Sequence, residues 1–126
     1  MVRPTLLVAE PEPAQALSVR KLVLETGKFN VLTAHSTREA IDLFQLFPNI
    51  SAAIIVAGEG LDCDKIGEAI RTATHKVPVV ALSPNIATSC ASANHNLSSH
   101  EPEELLKLMR SLLGDPRDLD RSSRGA

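Results

Sequence analysis

The chain has 126 residues and a mass of 13.5 kDa, and this length predicts one domain with one hydrophobic core. Its formal charge of −2 and its aromatic content of 2% exclude a basic footprint for nucleic acid and aromatic platforms for base stacking. It also lacks a bilayer-spanning apolar run and a signal-peptide pattern, so we expect a cytoplasmic protein that does not contact membranes.

The first predicted elements are a strand, a helix and a second strand. TLLVA (residues 5–9) is a continuous apolar run, which is typical of a strand buried on both faces of a parallel sheet. Pro13 is well placed at the start of a helix, and Gly27 ends that helix as a C-cap. FNVLTA (residues 29–34) is the second strand.

The next predicted elements are a capped helix and a third strand. In STRE, Ser36 is the N-cap and Glu39 completes a capping box. Pro48 ends this helix, and AAIIVA (residues 52–57) is a β-branched, apolar third strand. The predicted buried face of the helix consists of Ala40, Ile41, Leu43, Phe44 and Phe47.

A third helix and a fourth strand follow. The helix covers residues 62–74, with Asp62 suited to the N-cap and Gly67 weakening it by on the order of 1 kcal/mol relative to Ala. VPVVALS (residues 77–83) is the fourth strand. Residues 85–94 are compatible with a short helix, although their Ser, Thr and Asn content disfavours it.

The last predicted elements are a short fifth strand and a strong helix. HNLSS (residues 95–99) is the strand, and the helix that follows has Pro102 near its start and Gly114 at its end. Residues 115–126 are polar and predict a tail or the beginning of a linker after a domain of residues 1–114. The predicted apolar face of the helix consists of Leu105, Leu108, Met109, Leu112 and Leu113.

This alternation predicts an α/β fold, a single doubly wound, five-stranded parallel sheet in the order 2-1-3-4-5 with helices on both faces. Ligands of such flavodoxin-like sheets bind at the carboxyl ends of the strands, so any chemistry is expected in the loops that follow them.

Motifs at several of these elements resemble one known family. The first strand runs into EPEP, with Glu12 and Pro13 as a Glu-Pro pair, and FNVLTAHSTREAIDLF, VPVVALSP and NLSSHEPEELLKLMRSLL follow in order. Over residues 5–114 the chain resembles the receiver domain of bacterial two-component response regulators.

The resemblance implies a phosphorylation pocket with four components. An Asp at the end of the third strand accepts a phosphoryl group, and an acidic pair after the first strand binds Mg²⁺. A Ser or Thr after the fourth strand and a Lys after the fifth then contact the phosphoryl oxygens.

This sequence departs from three of these components. The acidic pair becomes Glu10 and Pro11, and the acceptor position falls on Val56, or on Ala57 if the register moves by one. The lysine position falls on Ser99 or Ser98, and an aromatic residue of the family's fifth strand becomes Asn96. Only Ser83 keeps the expected chemistry, so Mg²⁺ binding is expected to be lost or weak and no cofactor is expected.

We therefore expect a pseudo-receiver, a signalling module that is not an enzyme and acts by phosphorylation-independent protein–protein contact. In receivers the usual contact face is formed by the last two helices and the strand between them, which here spans residues 85–113. Glu103, Lys107 and Arg110 are the candidate contact residues on that face, for a protein partner or a homodimer.

Several alternatives stay open from the sequence. Glu59, Asp62 or Asp64 could replace the missing acceptor, and a remodelled pocket of Glu10, Ser83 and Glu59 could serve phosphotransfer or small-ligand binding. The histidines lack metal-ligand spacing, and the cysteines are expected to be reduced, buried residues rather than a redox pair. These six residues are His35, His75, His95, His100, Cys63 and Cys90.

Overall fold

The computed structural model describes residues 4–10, 19–47, 49–56, 61–74, 76–83, 90–98 and 102–116. Its strands are β1 (Thr5–Ala9), β2 (Asn30–Ala34), β3 (Ile50–Val56), β4 (Val79–Ser83) and β5 (His95–Ser98). They form one sheet in the order β2-β1-β3-β4-β5, and every neighbouring pair is parallel. The doubly wound order predicted from the sequence is confirmed.

Four helices are described, and two of them begin at the predicted N-caps. They are α1 (Val19–Thr26), α2 (Thr37–Leu46), α3 (Cys63–Ala73) and α4 (Pro102–Leu113). The Ser36 side chain accepts a hydrogen bond from the backbone N–H of Glu39 at 3.1 Å. The Asp62 side chain accepts one from the N–H of Lys65, also at 3.1 Å. Each cap satisfies a backbone donor that has no partner within its helix.

The sheet has an apolar layer on each face, because successive side chains of a strand point in opposite directions. Along the central strand β3, Ile54 belongs to one layer and Ile55 to the other. Helices α1 and α4 cover the first layer through Leu24, Leu105 and Met109. Helices α2 and α3 cover the second through Ala40, Phe44, Ile66 and Ile70.

Two predicted core residues are exposed instead. Phe47 is 46% exposed because it is the C-cap of α2, where φ −120° and ψ 81° leave the helical path. Leu112 is 37% exposed, and it lies almost one turn beyond Met109, which is fully buried. In both helices the apolar stripe of the sequence continues past the point where the core ends.

Helix α1 ends at Thr26 and Gly27 follows as its C-cap, as predicted, with its N–H bonded to the carbonyl of Val23 at 3.0 Å. The N–H groups of Lys28 and Phe29 bond to the carbonyls of Glu25 and Leu24, at 2.9 and 3.1 Å. This pair of bonds is a Schellman motif, and Lys28, rather than Gly27, has the positive φ of 73°.

The remaining boundary predictions concern loops and helix ends. At the end of α4, Gly114 takes φ 84°, in agreement with its predicted place as a C-cap. Residues 90–94 form a turn, in line with the Ser, Thr and Asn content that disfavours a helix over residues 85–94, and residues 85–89 lie outside the described residues. Pro13 and Pro48 also lie outside them.

Candidate functional site

The carboxyl ends of the parallel strands lie along one edge of the sheet. In register, Val56 at the end of β3 is opposite Leu82, and Ser83 at the end of β4 is opposite Ser98. Glu10 follows directly on β1, the other neighbour of β3. The fold therefore brings four of the predicted pocket positions to the edge where open α/β sheets bind ligands.

Glu10 is a buried acidic residue, with 2% of its surface exposed. Its backbone N–H donates to the carbonyl oxygen of Ala34 at 2.9 Å. Its own carbonyl oxygen lies 3.1 Å from Nδ1 of His35, and because a carbonyl only accepts, Nδ1 is the donor. These contacts hold the backbone of Glu10 beside the end of β2. Pro11, the predicted second position of the acidic pair, lies outside the described residues.

Val56 occupies the end of β3 as a core residue. It is 5% exposed and belongs to the apolar layer that also contains Ile54 and Leu82. Its side chain has no group that could accept a phosphoryl group or bind a cation. Ala57, the alternative acceptor position, lies outside the described residues.

Ser83 is also buried, but on a different side of the sheet from Val56. Leu82 shares the apolar layer of Val56, so the pleat directs the next residue, Ser83, toward the opposite face. The described pairing of β3 with β4 ends at Val56 and Leu82. Ser98 is in line with Ser83 on β5, and Ser99 lies outside the described residues.

Asp62 and Asp64, two of the three carboxylates that could replace the acceptor, lie at the N-terminal end of α3. Asp62 caps the helix, and its backbone N–H donates to Thr37 Oγ1 at 2.8 Å. Asp64 Oδ1 accepts from the backbone N–H of Ser92 at 3.2 Å and from its hydroxyl at 3.0 Å. Glu59 lies outside the described residues.

Cys63 and Cys90 form a disulfide, so the expectation of two reduced thiols is wrong for this structure. Their Cα atoms are 6.1 Å apart, within the usual range for such a bond. Cys63 is the first residue of α3, and Cys90 begins the turn that leads into β5. A separation of 27 residues has no periodic signal, and only the packing of α3 against this turn brings the sulfurs together.

The same contact explains why a glycine stands inside α3. Gly67 is buried and faces Ser92, whose Cβ would lie 2.9 Å from a Cβ added to the glycine. The Ser92 hydroxyl would be closer still. Since Asp64 holds Ser92 by two hydrogen bonds, the glycine permits a close approach of helix and turn.

Gly67→Ala is therefore expected to destabilise the protein, although alanine favours helices. Overpacking against Ser92 costs roughly 1–3 kcal/mol, and the gain in helix propensity offsets about 1 kcal/mol of it. Gly27→Ala is a matched control, because its added Cβ meets the flexible end of Leu106. Urea unfolding should show a lower midpoint for Gly67→Ala than for Gly27→Ala, and equal midpoints would contradict the close approach.

Two of the four histidines lie within the described residues. His35 contacts the backbone of Glu10, His95 begins β5, and His75 and His100 lie outside the described residues. Among the residues that are described, no group of three or more His, Cys, Asp or Glu could hold a metal ion. No helix within them is long and apolar enough to cross a membrane.

The three predicted contact residues lie together on α4. Glu103, Lys107 and Arg110 line a cleft of about 480 Å³ between α4 and α1. Lys107 Nζ is 3.7 Å from Glu104 Oε1, and Arg110 Nε is 3.5 Å from Asp115 Oδ2. The prediction placed these residues on a face with β5, whereas the structure shows α1 as the other wall of their cleft.

Comparisons with known proteins give a result for the fold alone. No protein-family model matches the chain, and no curated protein matches it at the significance threshold. Solved structures do match, and those described below share at most 22% sequence identity with it.

Three of the similar structures illustrate the match. A response regulator receiver domain protein from Clostridium thermocellum is 21% identical, with a TM-score of 0.73, and the alignment covers 92% of this chain and 98% of that one. The N-terminal domain of a response regulator/sensory box/GGDEF three-domain protein from Carboxydothermus hydrogenoformans is 18% identical, with a TM-score of 0.73 and coverages of 94% and 98%.

The third is the response regulator TrrA from Thermotoga maritima, in complex with Mg²⁺ and BeF. It is 21% identical, with a TM-score of 0.68 and coverages of 87% and 99%. TrrA is also found in complex with the histidine kinase ThkA, where it is 22% identical to this chain with a TM-score of 0.67 and coverages of 87% and 98%. This chain has the fold of response regulator receiver domains.

Proposed function

We propose that this chain is a pseudo-receiver, a cytoplasmic signalling module that is not phosphorylated and acts by contact with other proteins. The observation that carries the proposal is the apolar end of β3. Val56 is packed into the core, and the next residue in the sequence is Ala57. Neither side chain contains an oxygen, so a phosphoryl group has no acceptor at this strand end.

The acceptor position corresponds to Val56 or to Ala57. The described pairing of β3 with β4 ends at Val56 and Leu82. Val56 and Leu82 lie in one apolar layer, whereas Ser83 points toward the opposite face. Both assignments lead to the same function, because both residues are hydrocarbon.

Mg²⁺ fits poorly at this edge, although TrrA binds it in its complex with BeF. Hard divalent cations need several oxygen ligands, and the sequence offers Glu10 followed by Pro11, which has no side-chain donor. The acceptor carboxylate that would complete the site is also missing. We therefore derive no reaction step through a metal in this domain.

The proposed output is protein contact through α4 and its neighbours, either with a partner protein or in a homodimer. Lys107 and Glu103 are exposed, and with Arg110 they surround a cleft that is partly apolar through Val23 and Leu106. Such a mixed surface suits a protein partner better than nucleic acid, which would require a basic stripe. This proposal includes no catalytic activity.

Incubation with acetyl phosphate and Mg²⁺ is expected to leave the intact mass of the protein unchanged. A receiver domain that has an Asp at the end of its third strand serves as the positive control under the same conditions. An added phosphoryl group on this chain would overturn the proposal, and peptide mapping would then distinguish Asp62 and Asp64 from Glu59.

A second candidate is a remodelled pocket that binds a small ligand or takes part in phosphotransfer. The specific observation in its favour is that Glu10 and Ser83 are both buried at the ligand-binding edge, and Glu59 follows β3 in the sequence. Thermal shifts with divalent metals, nucleotides and phosphodonors test it. A shift that Ser83→Ala removes would favour this candidate, whereas no shift with any ligand would leave it without support.

A further inference from the structure

We propose that the Cys63–Cys90 disulfide is a reversible redox clamp that controls the segment leading into β5. The inference rests on the proposed function for its setting, a cytoplasmic module whose contact face includes this segment. Thiols of cytosolic proteins are kept reduced, and disulfides that do form there are usually transient and redox-sensing or catalytic. A disulfide in such a module is therefore better explained as a regulated bond than as a permanent one.

The clamp joins two elements whose other described hydrogen bonds run mainly through Ser92, which also packs against Gly67. Cys63 is the first residue of α3, and Cys90 begins a turn whose far end is fixed to β4. There the N–H of Asn94 donates to the carbonyl of Val79, and the Asn94 side chain accepts from the N–H of Val79, both at 2.7 Å. Between these points, the Asp64 carboxylate holds Ser92.

The effect of the clamp on β5 follows from the position of Cys90. Its backbone N–H donates to the Asn96 side chain at 3.0 Å, and Asn96 lies within β5, a four-residue strand at the edge of the sheet. Opening the disulfide leaves the hydrogen bonds of Ser92 to Asp64 and to the Cys63 carbonyl, with its packing against Gly67, as the main described ties between α3 and this turn. The turn and the start of β5 then become free to open locally.

The surroundings of the sulfurs suit both redox states. Cys90 Sγ lies 3.6 Å from Asp64 Oδ1 and 3.5 Å from Ser92 Oγ. A disulfide sulfur has no proton to donate, but a reduced Cys90 thiol would find two acceptors in place. Cys63, at the N-terminus of α3, is where the helix dipole stabilises a thiolate. Each sulfur therefore also has a stabilising interaction in the reduced state.

The reductant required is a dithiol, and the reaction is thiol–disulfide exchange. One thiolate of the dithiol attacks a sulfur of the Cys63–Cys90 bond, forms a mixed disulfide and expels the other cysteine as a thiolate. The second thiol of the reductant then resolves the mixed disulfide. In total the protein gains two electrons and two protons, and the dithiol becomes a disulfide. A small oxidised disulfide, such as oxidised glutathione, reverses the reaction.

Thiol trapping and hydrogen exchange of the whole chain test the proposal. Without reductant, the denatured protein should take up no alkylating label, and after native incubation with dithiothreitol it should take up two. Reduction should speed amide exchange at Cys90 and Ser92 several-fold. Oxidised glutathione should restore the slow exchange.

The double variant Cys63→Ser/Cys90→Ser is the matched control. It should exchange like the reduced protein and should not respond to dithiothreitol; if it fails to fold, the reduced wild type provides the same comparison. Labelling of both cysteines without reductant, a bond that opens only in denaturant, or exchange that reduction leaves unchanged would each overturn the clamp. Phosphorylation by acetyl phosphate would overturn only the proposed function, since thiol labelling is read separately.

Discussion

Val56→Asp is expected to destabilise the fold by roughly 3–5 kcal/mol at pH 8, the cost of an unpaired buried charge. The side chain of Val56 is enclosed in an apolar layer, and Glu10 follows β1 on the adjacent strand. Desolvation therefore raises the pKa of the introduced carboxyl. Urea unfolding of the variant and the wild type measures the difference.

The destabilisation caused by Val56→Asp is expected to grow as the pH rises. A carboxyl whose pKa is raised in the folded state binds its proton more tightly there than in the unfolded chain. The penalty is smallest below the unfolded pKa of about 4 and grows as the pH rises toward the folded value. Val56→Asn, which has nearly the same shape but no charge, should show a penalty that does not change with pH. Equal stability of Val56→Asp and Val56→Asn at pH 8 would contradict the prediction, because it would mean that the end of β3 accommodates a charged side chain.

The order of elements could be predicted from the sequence because it depends on local patterns. Largely apolar runs of five to seven residues form β1 to β4, and Ser36 and Asp62 cap helices through groups three residues away. The fifth segment is shorter and more polar, and His95–Ser98 nevertheless pairs with β4. A parallel sheet with short connections then allows few topologies, so the strand order followed from the count of βα units.

The predictions that failed depend on contacts between distant residues. Periodicity identified the apolar stripe of α4 but not the point where the core ends, and so Leu112 was placed inside. Gly27 is the C-cap of α1 as predicted, but the left-handed conformation of the next residue, Lys28, has no signal in the sequence. Helix propensity alone predicts only that Gly67 weakens α3. The contact with Ser92, which requires a glycine, cannot be found from neighbouring residues in the sequence.

The candidate site divides in the same way. Which residues stand at the strand ends could be predicted, since register with a known family fixes them within one residue. The choice between Val56 and Ala57 depends on the pairing of β3 with β4 beyond Val56 and Leu82, the last described pair. The disulfide and the contacts of Asp64 with Ser92 could not be predicted from the receiver-like motifs, because they join residues that lie far apart in the sequence.

Loss of the disulfide is expected to lower the free energy of unfolding by about 3–4 kcal/mol. A crosslink between residues 27 positions apart restricts the unfolded chain, and the loop-entropy relation gives a value of this size for such a loop. Thermal unfolding should show the melting temperature of Cys63→Ser/Cys90→Ser lower by about 10 °C or more. Reduced wild type should melt near the variant, because both lack the same covalent constraint.

The control separates the crosslink from the side chains. Dithiothreitol should lower the melting temperature of the wild type and leave that of the double variant unchanged. Asp64→Asn retains the disulfide but weakens the hydrogen bonds to Ser92, so it should cost only about 1–2 kcal/mol. If reduction and the double substitution both left stability unchanged, the hydrogen bonds of Ser92 and the packing against Gly67 would suffice to hold α3 and the turn before β5 together. If dithiothreitol lowers the melting temperature of the wild type alone, the stability of this face depends on the redox state of the disulfide.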